Sequence, residues 1–141
     1  MNRSKRIQLA LIFLLFFRAN AFGQVINLSR ISEIESNNNP KAYNARENSF
    51  GLNQIRSATL DEYNKYTKSN LRYQDLFNAE INNRVATWYL EKRIPSMLRY
   101  YHKEVSVRNI IISYNAGISY VVSGKKLPEI TVRYLRKYER R

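Results

Sequence analysis

Val25, Leu28, Ile31 and Ile34 recur at three-residue steps, a spacing that keeps apolar side chains on one face of an α-helix. Asn27 or Ser29 is placed to cap the start, so the pattern predicts a helix over residues 27 to 36. Asn37-Asn38-Asn39-Pro40 predicts its end, because the residue before a proline is pushed out of helical backbone. Residues 41 to 49 are polar and turn-rich, which predicts a loop or a small β-ribbon. From Phe50 to Asn64 the chain is expected to return to helix, with Leu52, Ile55 and Leu60 inward. Leu76, Phe77, Ile81, Val85, Trp88 and Tyr89 carry the strongest helical spacing, with Asp75 or Asn78 as its cap. Pro95 ends or restarts that helix, and Val107 to Ala116 predicts another, punctuated by Gly117. Pro128 opens a last helix, in which Ile130, Tyr134 and Tyr138 share one face while Arg133, Arg136, Lys137, Arg140 and Arg141 stay in solvent. The fold class that follows is mainly α: one domain, with any sheet confined to residues 40–50.

One polar residue violates this pattern. Leu28, Ile31 and Glu35 lie seven and four residues apart along a single helical stripe, so the carboxyl group of Glu35 points inward. Lost solvation and the negative end of the helix dipole both disfavour its charged form. A proton retained near neutral pH is what a general acid requires. The competing reading of Ser32-x-x-Glu35 is a capping box, but such a box precedes an apolar run and here Asn37 to Pro40 follow at once. Glu33 falls on another face and is expected to be solvated.

Composition narrows the setting. A basic start, an uncharged run of nine residues from Leu9 to Phe17 and the small Ala19 and Ala21 form the three parts of an export signal cut near Ala21. Nine residues fall short of the roughly 20 that cross a bilayer. Residues 22–141 then form the domain. Removing residues 1–21 takes four basic residues from 24 Lys+Arg and none of the 11 Asp+Glu, leaving a charge of +9. An anionic partner is expected. There is no cysteine, so no disulfide frame exists. The single His102 and the absent cysteines leave no recognisable zinc site, and no metal or other cofactor is expected. Lys and Arg are spread over the chain rather than gathered in one patch, which argues against nucleic acid as the partner.

Further along, the order Glu35-Ser36, Asn39-Pro40-x-Ala42, Gly51-Leu52-x-Gln54-Ile55 and Tyr114-Asn115-Ala116-Gly117 resembles the soluble lytic transglycosylase family, whose domain has the goose-type lysozyme-like fold. Asn82 with Tyr89-Leu90, and Pro128-Glu129-x-Thr131-x-x-Tyr134, resemble two further signatures of that family. The resemblance covers roughly residues 25 to 138. It departs at Asn53, where an apolar residue is usual, at Asn83 for Ile, at Ala86 for Gly and at Ile118 for Pro. From Asn53 a more polar floor of the sugar groove is expected.

The resemblance implies cleavage of the β-1,4 bond between N-acetylmuramic acid and N-acetylglucosamine in peptidoglycan without water, leaving 1,6-anhydro ends. Glu35 would be general acid and then base. By the same resemblance Ser36 would orient Glu35 or the N-acetyl group, Gly51 would let backbone approach sugar, Gln54 would donate an amide hydrogen bond, and Tyr114 and Asn115 would close the opposite wall. Partners implied are glycan strands, with a monomer acting in the periplasm or outside the cell, and a secretion, conjugation or phage machine as a possible employer. The rival is a hydrolytic muramidase, for which Glu47 is the nearby second carboxylate.

Overall fold

The computed structural model describes residues 25–140. The predicted export signal, residues 1–21, and Arg141 lie outside them. Helix α1 (Leu28–Ser36) starts at Asn27, whose side-chain oxygen accepts from the backbone N–H of Arg30 at 3.0 Å. Ser32 therefore sits in mid-helix, and the capping-box reading of Ser32 and Glu35 falls. The helix ends before Pro40 acts on it: Asn37 and Asn38 take left-handed backbone, φ 54° and 60°, which asparagine tolerates better than most residues.

The ribbon is larger than expected. Strands β1 (Tyr43–Asn44), β2 (Ser49–Phe50) and β3 (Ile55–Arg56) form an antiparallel sheet in that order, with Tyr43 opposite Phe50 and Phe50 opposite Ile55. The helix expected from Phe50 begins only at Ser57, as α2 (Ser57–Thr67), and Leu52 is half-buried in a turn. Gly51 at φ 72° and Gln54 at φ 47° reverse the chain there, a geometry no helix can contain.

The strongest helical pattern is split into four pieces: a 3-10 turn (Tyr73–Phe77), α3 (Ala79–Trp88), a π turn (Tyr89–Arg93) and α4 (Ile94–Tyr100). Asn78 caps α3 by accepting from the N–H groups of Glu80 and Ile81. Pro95 restarts the helix. It carries no N–H to continue the ladder, and just before it the N–H of Ile94 bonds the carbonyl of Tyr89, five residues back.

Helix α5 (Val107–Ala116) is the centre of the domain. Five consecutive residues, Ile110 to Tyr114, are buried, as expected of a helix wrapped on all sides. Around it pack α6 (Ile118–Ser123), α7 (Glu129–Glu139) and the core residues Ile31, Leu60, Val85, Leu98 and Leu135. Among the described residues no helix is long and apolar enough to cross a membrane.

Helix α7 corrects one expectation usefully. Ile130 is 65 % exposed, and Thr131 and Leu135 face the core instead. Ile130 and Tyr134 do share a face, but it is the wall of an open cleft. The backbone of α7 is pinned to α1: Nε and an Nη of Arg30 donate to the carbonyl of Lys137 at 3.0 and 2.8 Å, and the N–H of Asn27 donates to the hydroxyl of Tyr138 at 2.8 Å.

Candidate active site

The cleft encloses about 540 Å³ between the end of α1, the sheet, the end of α5 and the outer face of α7. The Leu28–Ile31–Glu35 stripe delivers Glu35 into it, with Ile31 completely buried behind. The hydroxyl of Tyr134 donates to Oε1 of Glu35 at 2.9 Å. Burial raises the carboxyl pKa from 4.5 to about 7, against the lowering effects of the Tyr134 hydrogen bond and the Arg56 charge, while the Glu47 charge adds to the rise. Tyr134 is itself held far above the ordinary phenol range, first by burial and then by Glu35, so it remains a donor.

Arg56 and Glu47 line the same cleft and pair at 3.1 Å. Arg56 also donates to the carbonyl of Asn115 at 3.4 Å, joining the sheet to the end of α5. The Tyr114 hydroxyl donates to the carbonyl of Asn53, and burial holds its phenol well above the usual range. Tyr114, Asn115 and Gln54 line the cleft, together with Glu35.

The amide of Gln54 is already engaged. It donates to the carbonyls of Gly51 at 3.0 Å and Ala42 at 3.4 Å, and its oxygen accepts from Ser49 at 2.9 Å, so its visible work is to hold the turn. Ser36 and Gly51 stand behind the cleft and do not line it. The hydroxyl of Ser36 donates to the carbonyl of Leu52 at 2.7 Å and accepts from the N–H of Asn39 at 3.1 Å, which ties the end of α1 to the turn. Gly51 is needed for packing: a Cβ there would meet the Leu76 carbonyl oxygen at 2.3 Å and Nδ2 of Asn82 at 2.4 Å.

Asn53 does not form a polar groove floor either. Its side chain is fully buried behind the cleft, accepting from Ser32 at 2.7 Å and donating to Asn82 at 2.9 Å and Asn83 at 2.8 Å. Asn82 in turn donates to the carbonyls of Phe50 and Leu76. Asn53 and Asn83, the two polar departures from the family pattern, thus satisfy each other. A buried amide without such partners would cost about 1–3 kcal/mol.

Tyr134 and Arg56 are the site residues that sequence reasoning missed. Tyr134 has a signal, its place on one stripe with Ile130 and in the closing motif. Arg56 has none, since the pattern places it inside a helix. Among the described residues no three His, Cys, Asp or Glu side chains gather where a metal ion would sit.

A mainly helical domain of lysozyme-like form thus presents one shielded carboxyl group in an open polar cleft, an arrangement suited to general acid catalysis. The family model for the transglycosylase SLT domain matches residues 25–130, and the chain belongs to that family. Its substrate class is therefore peptidoglycan, and it is a peptidoglycan-degrading enzyme of the transglycosylase SLT type. No curated protein and no solved structure matches the chain.

The raised pKa has a consequence for stability. A carboxyl group that binds its proton more tightly when folded stabilises the fold fully below pH 4.5, and that contribution is lost as pH rises through about 7. Above that pH the charged, half-buried Glu35 burdens the fold by roughly 2–3 kcal/mol, after allowance for water at the cleft mouth. Glu35→Gln is expected to raise the melting temperature at about pH 8.5 and to leave it unchanged near pH 4. Thermal unfolding of both proteins across that range checks this; a loss of stability at the higher pH contradicts it.

Proposed function

We propose that the protein cleaves the bond between N-acetylmuramic acid and N-acetylglucosamine without water, with Glu35 as the single acid and base. The observation that supports this is the shielded carboxyl of Glu35, oriented by Tyr134 at 2.9 Å in a cleft open to a polymer. Glu35 gives its proton to the bridging oxygen as the bond from that oxygen to C1 of the muramic residue breaks. The resulting carboxylate then takes the proton of the C6 hydroxyl while that oxygen bonds to C1. The products are a 1,6-anhydromuramic end and a free 4-hydroxyl, and Glu35 is protonated again. An attacking oxygen within the substrate avoids much of the entropy loss of recruiting a separate nucleophile.

Glu47 is the observation on the side of hydrolysis, since it lines the same cleft. One of its carboxylate oxygens is already engaged by Arg56 at 3.1 Å, which ties the side chain to the sheet. Mass spectrometry of digested sacculi separates the two readings. Anhydro ends support the transglycosylase; ends heavier by one water support the muramidase. The reading also sets the enzyme at the cell wall, exported by the segment before residue 22, whether for general turnover or for local opening in a larger machine.

Tyr134→Phe keeps the ring and removes the hydrogen bond to Glu35. That bond lowers the Glu35 pKa, so its loss raises it. The alkaline fall in kcat is expected to move to higher pH, and the plateau rate to drop about tenfold from looser orientation of the acid. A pH–rate profile identical to that of the unaltered enzyme contradicts this role.

A further inference from the structure

The catalytic cleft carries more positive charge than its own acids can compensate. Arg56, Arg133 and Lys137 line it against Glu35 and Glu47. Glu47 is taken by Arg56, and Glu35, with a pKa of about 7, is largely neutral below that pH and already hydrogen-bonded to Tyr134. Arg133 and Lys137 make no ion pair among the described residues. They stand one helical turn apart on α7, on either side of Tyr134 in the sequence, both lining the open cleft.

Their setting is firm. Arg30 clamps the backbone carbonyl of Lys137 from α1, and Arg108 pairs with Glu139 at 2.9 Å further along the helix. Two cations carried by a helix whose backbone is clamped to α1, within the cleft that receives the substrate and without an ion-pair partner among the described residues, fit an anionic group on that substrate.

We infer that Arg133 and Lys137 form a carboxylate-reading subsite on the wall of the cleft, which holds the strand through its carboxyl groups while Glu35 acts on the glycosidic bond. The inference rests on peptidoglycan cleavage at this cleft and adds the feature of the strand that is recognised. Two sources offer that chemistry: the carboxylates of the stem peptides, and the lactyl carboxylate of muramic acid, which is free where the peptide has been removed. Exposed Ile130, one turn before Arg133 on the same wall, supplies an apolar contact beside the cations.

Binding tests this independently of the chemistry. In a Glu35→Gln background, which leaves strands uncut, Arg133→Gln with Lys137→Gln is compared with Arg136→Gln with Arg140→Gln, a pair on the same stretch of chain that removes equal charge outside the cleft. The probes are peptide-bearing strands, strands stripped of peptide by an amidase, and a neutral chitin oligomer. The cleft pair is expected to weaken binding of a carboxylated strand about tenfold at low salt and to flatten its salt dependence. Chitin-oligomer binding stays unchanged, and the outer pair has a much smaller effect. The strand that suffers identifies the source, peptide or lactyl. Equal losses from the two pairs, equal losses on the neutral oligomer, or absence of binding to both carboxylated strands overturn the subsite. A wrong cleavage chemistry would show instead as reducing ends in the product analysis, with these binding differences intact.

Discussion

Glu35→Gln is expected to cut the rate of sacculus cleavage by about 10²–10⁴-fold or to below detection, because the amide keeps the shape of the side chain and has no proton to give. The lesion should be confined to chemistry. The amide oxygen of the variant can still accept the hydrogen bond that Tyr134 gives to Glu35, and the cleft wall built by Tyr114, Asn115 and α7 is untouched. Sacculus binding is therefore expected to persist while turnover disappears, a change in kcat with little change in apparent affinity. The same variant is expected to be the more stable protein at alkaline pH, since it removes a buried charge. Loss of activity together with gain of stability is the signature of a group retained for its work rather than for the fold. Undiminished lysis by Glu35→Gln would remove Glu35 from the role of acid.

Gly51→Ala is expected to lower stability by about 2–4 kcal/mol, or a melting temperature by roughly 10–20 °C, for two separable reasons. The first is backbone: φ at Gly51 is 72°, where a Cβ is strained. The second is contact. The new methyl group would lie 2.3 Å from the Leu76 carbonyl oxygen and 2.4 Å from the Asn82 amide, so the bond between those two, 2.9 Å long, cannot persist unaltered. Asn82 also anchors Asn53 and the carbonyl of Phe50, so the disturbance reaches the turn whose Asn53 carbonyl receives the Tyr114 hydroxyl. Gly124 provides the control. Its φ is 65° but a Cβ would meet nothing within 4 Å. Gly124→Ala should show the backbone part alone, about 1 kcal/mol, and equal losses at the two positions would contradict the packing role of Gly51.

How much of this was legible in the sequence depended on the length over which a pattern can repeat. Helix α1 and the inward carboxyl of Glu35 were legible, because Leu28, Ile31 and Glu35 occupy two full turns of one stripe. Helix α5 was legible for the same reason, from its apolar run with Gly117 after it. The sheet was not, because its strands are two residues long and alternation cannot be read from two positions. Gln54 in left-handed backbone carries no warning in its residue type, and so Arg56 was hidden inside an expected helix.

Polar residues in the interior were the other blind spot. Asn53 was expected at the floor of the groove, and nothing in the residue types of Asn82 and Asn83 names a buried partner. The structure buries the first two completely, and the bonds among the three depend on the meeting of segments about 30 residues apart. The closing helix lay between these cases. Its stripe of Ile130 and Tyr134 was visible, but a stripe names a face without saying whether core or substrate lies opposite it, and here it is the cleft.

The most direct test of the account is a pH titration of the Glu35 side-chain carboxyl carbon by NMR, assigned by its absence in Glu35→Gln. A midpoint at about 7, moving higher in Tyr134→Phe, is the predicted result. A midpoint near 4.5, the value of a carboxyl group in open water, would contradict it.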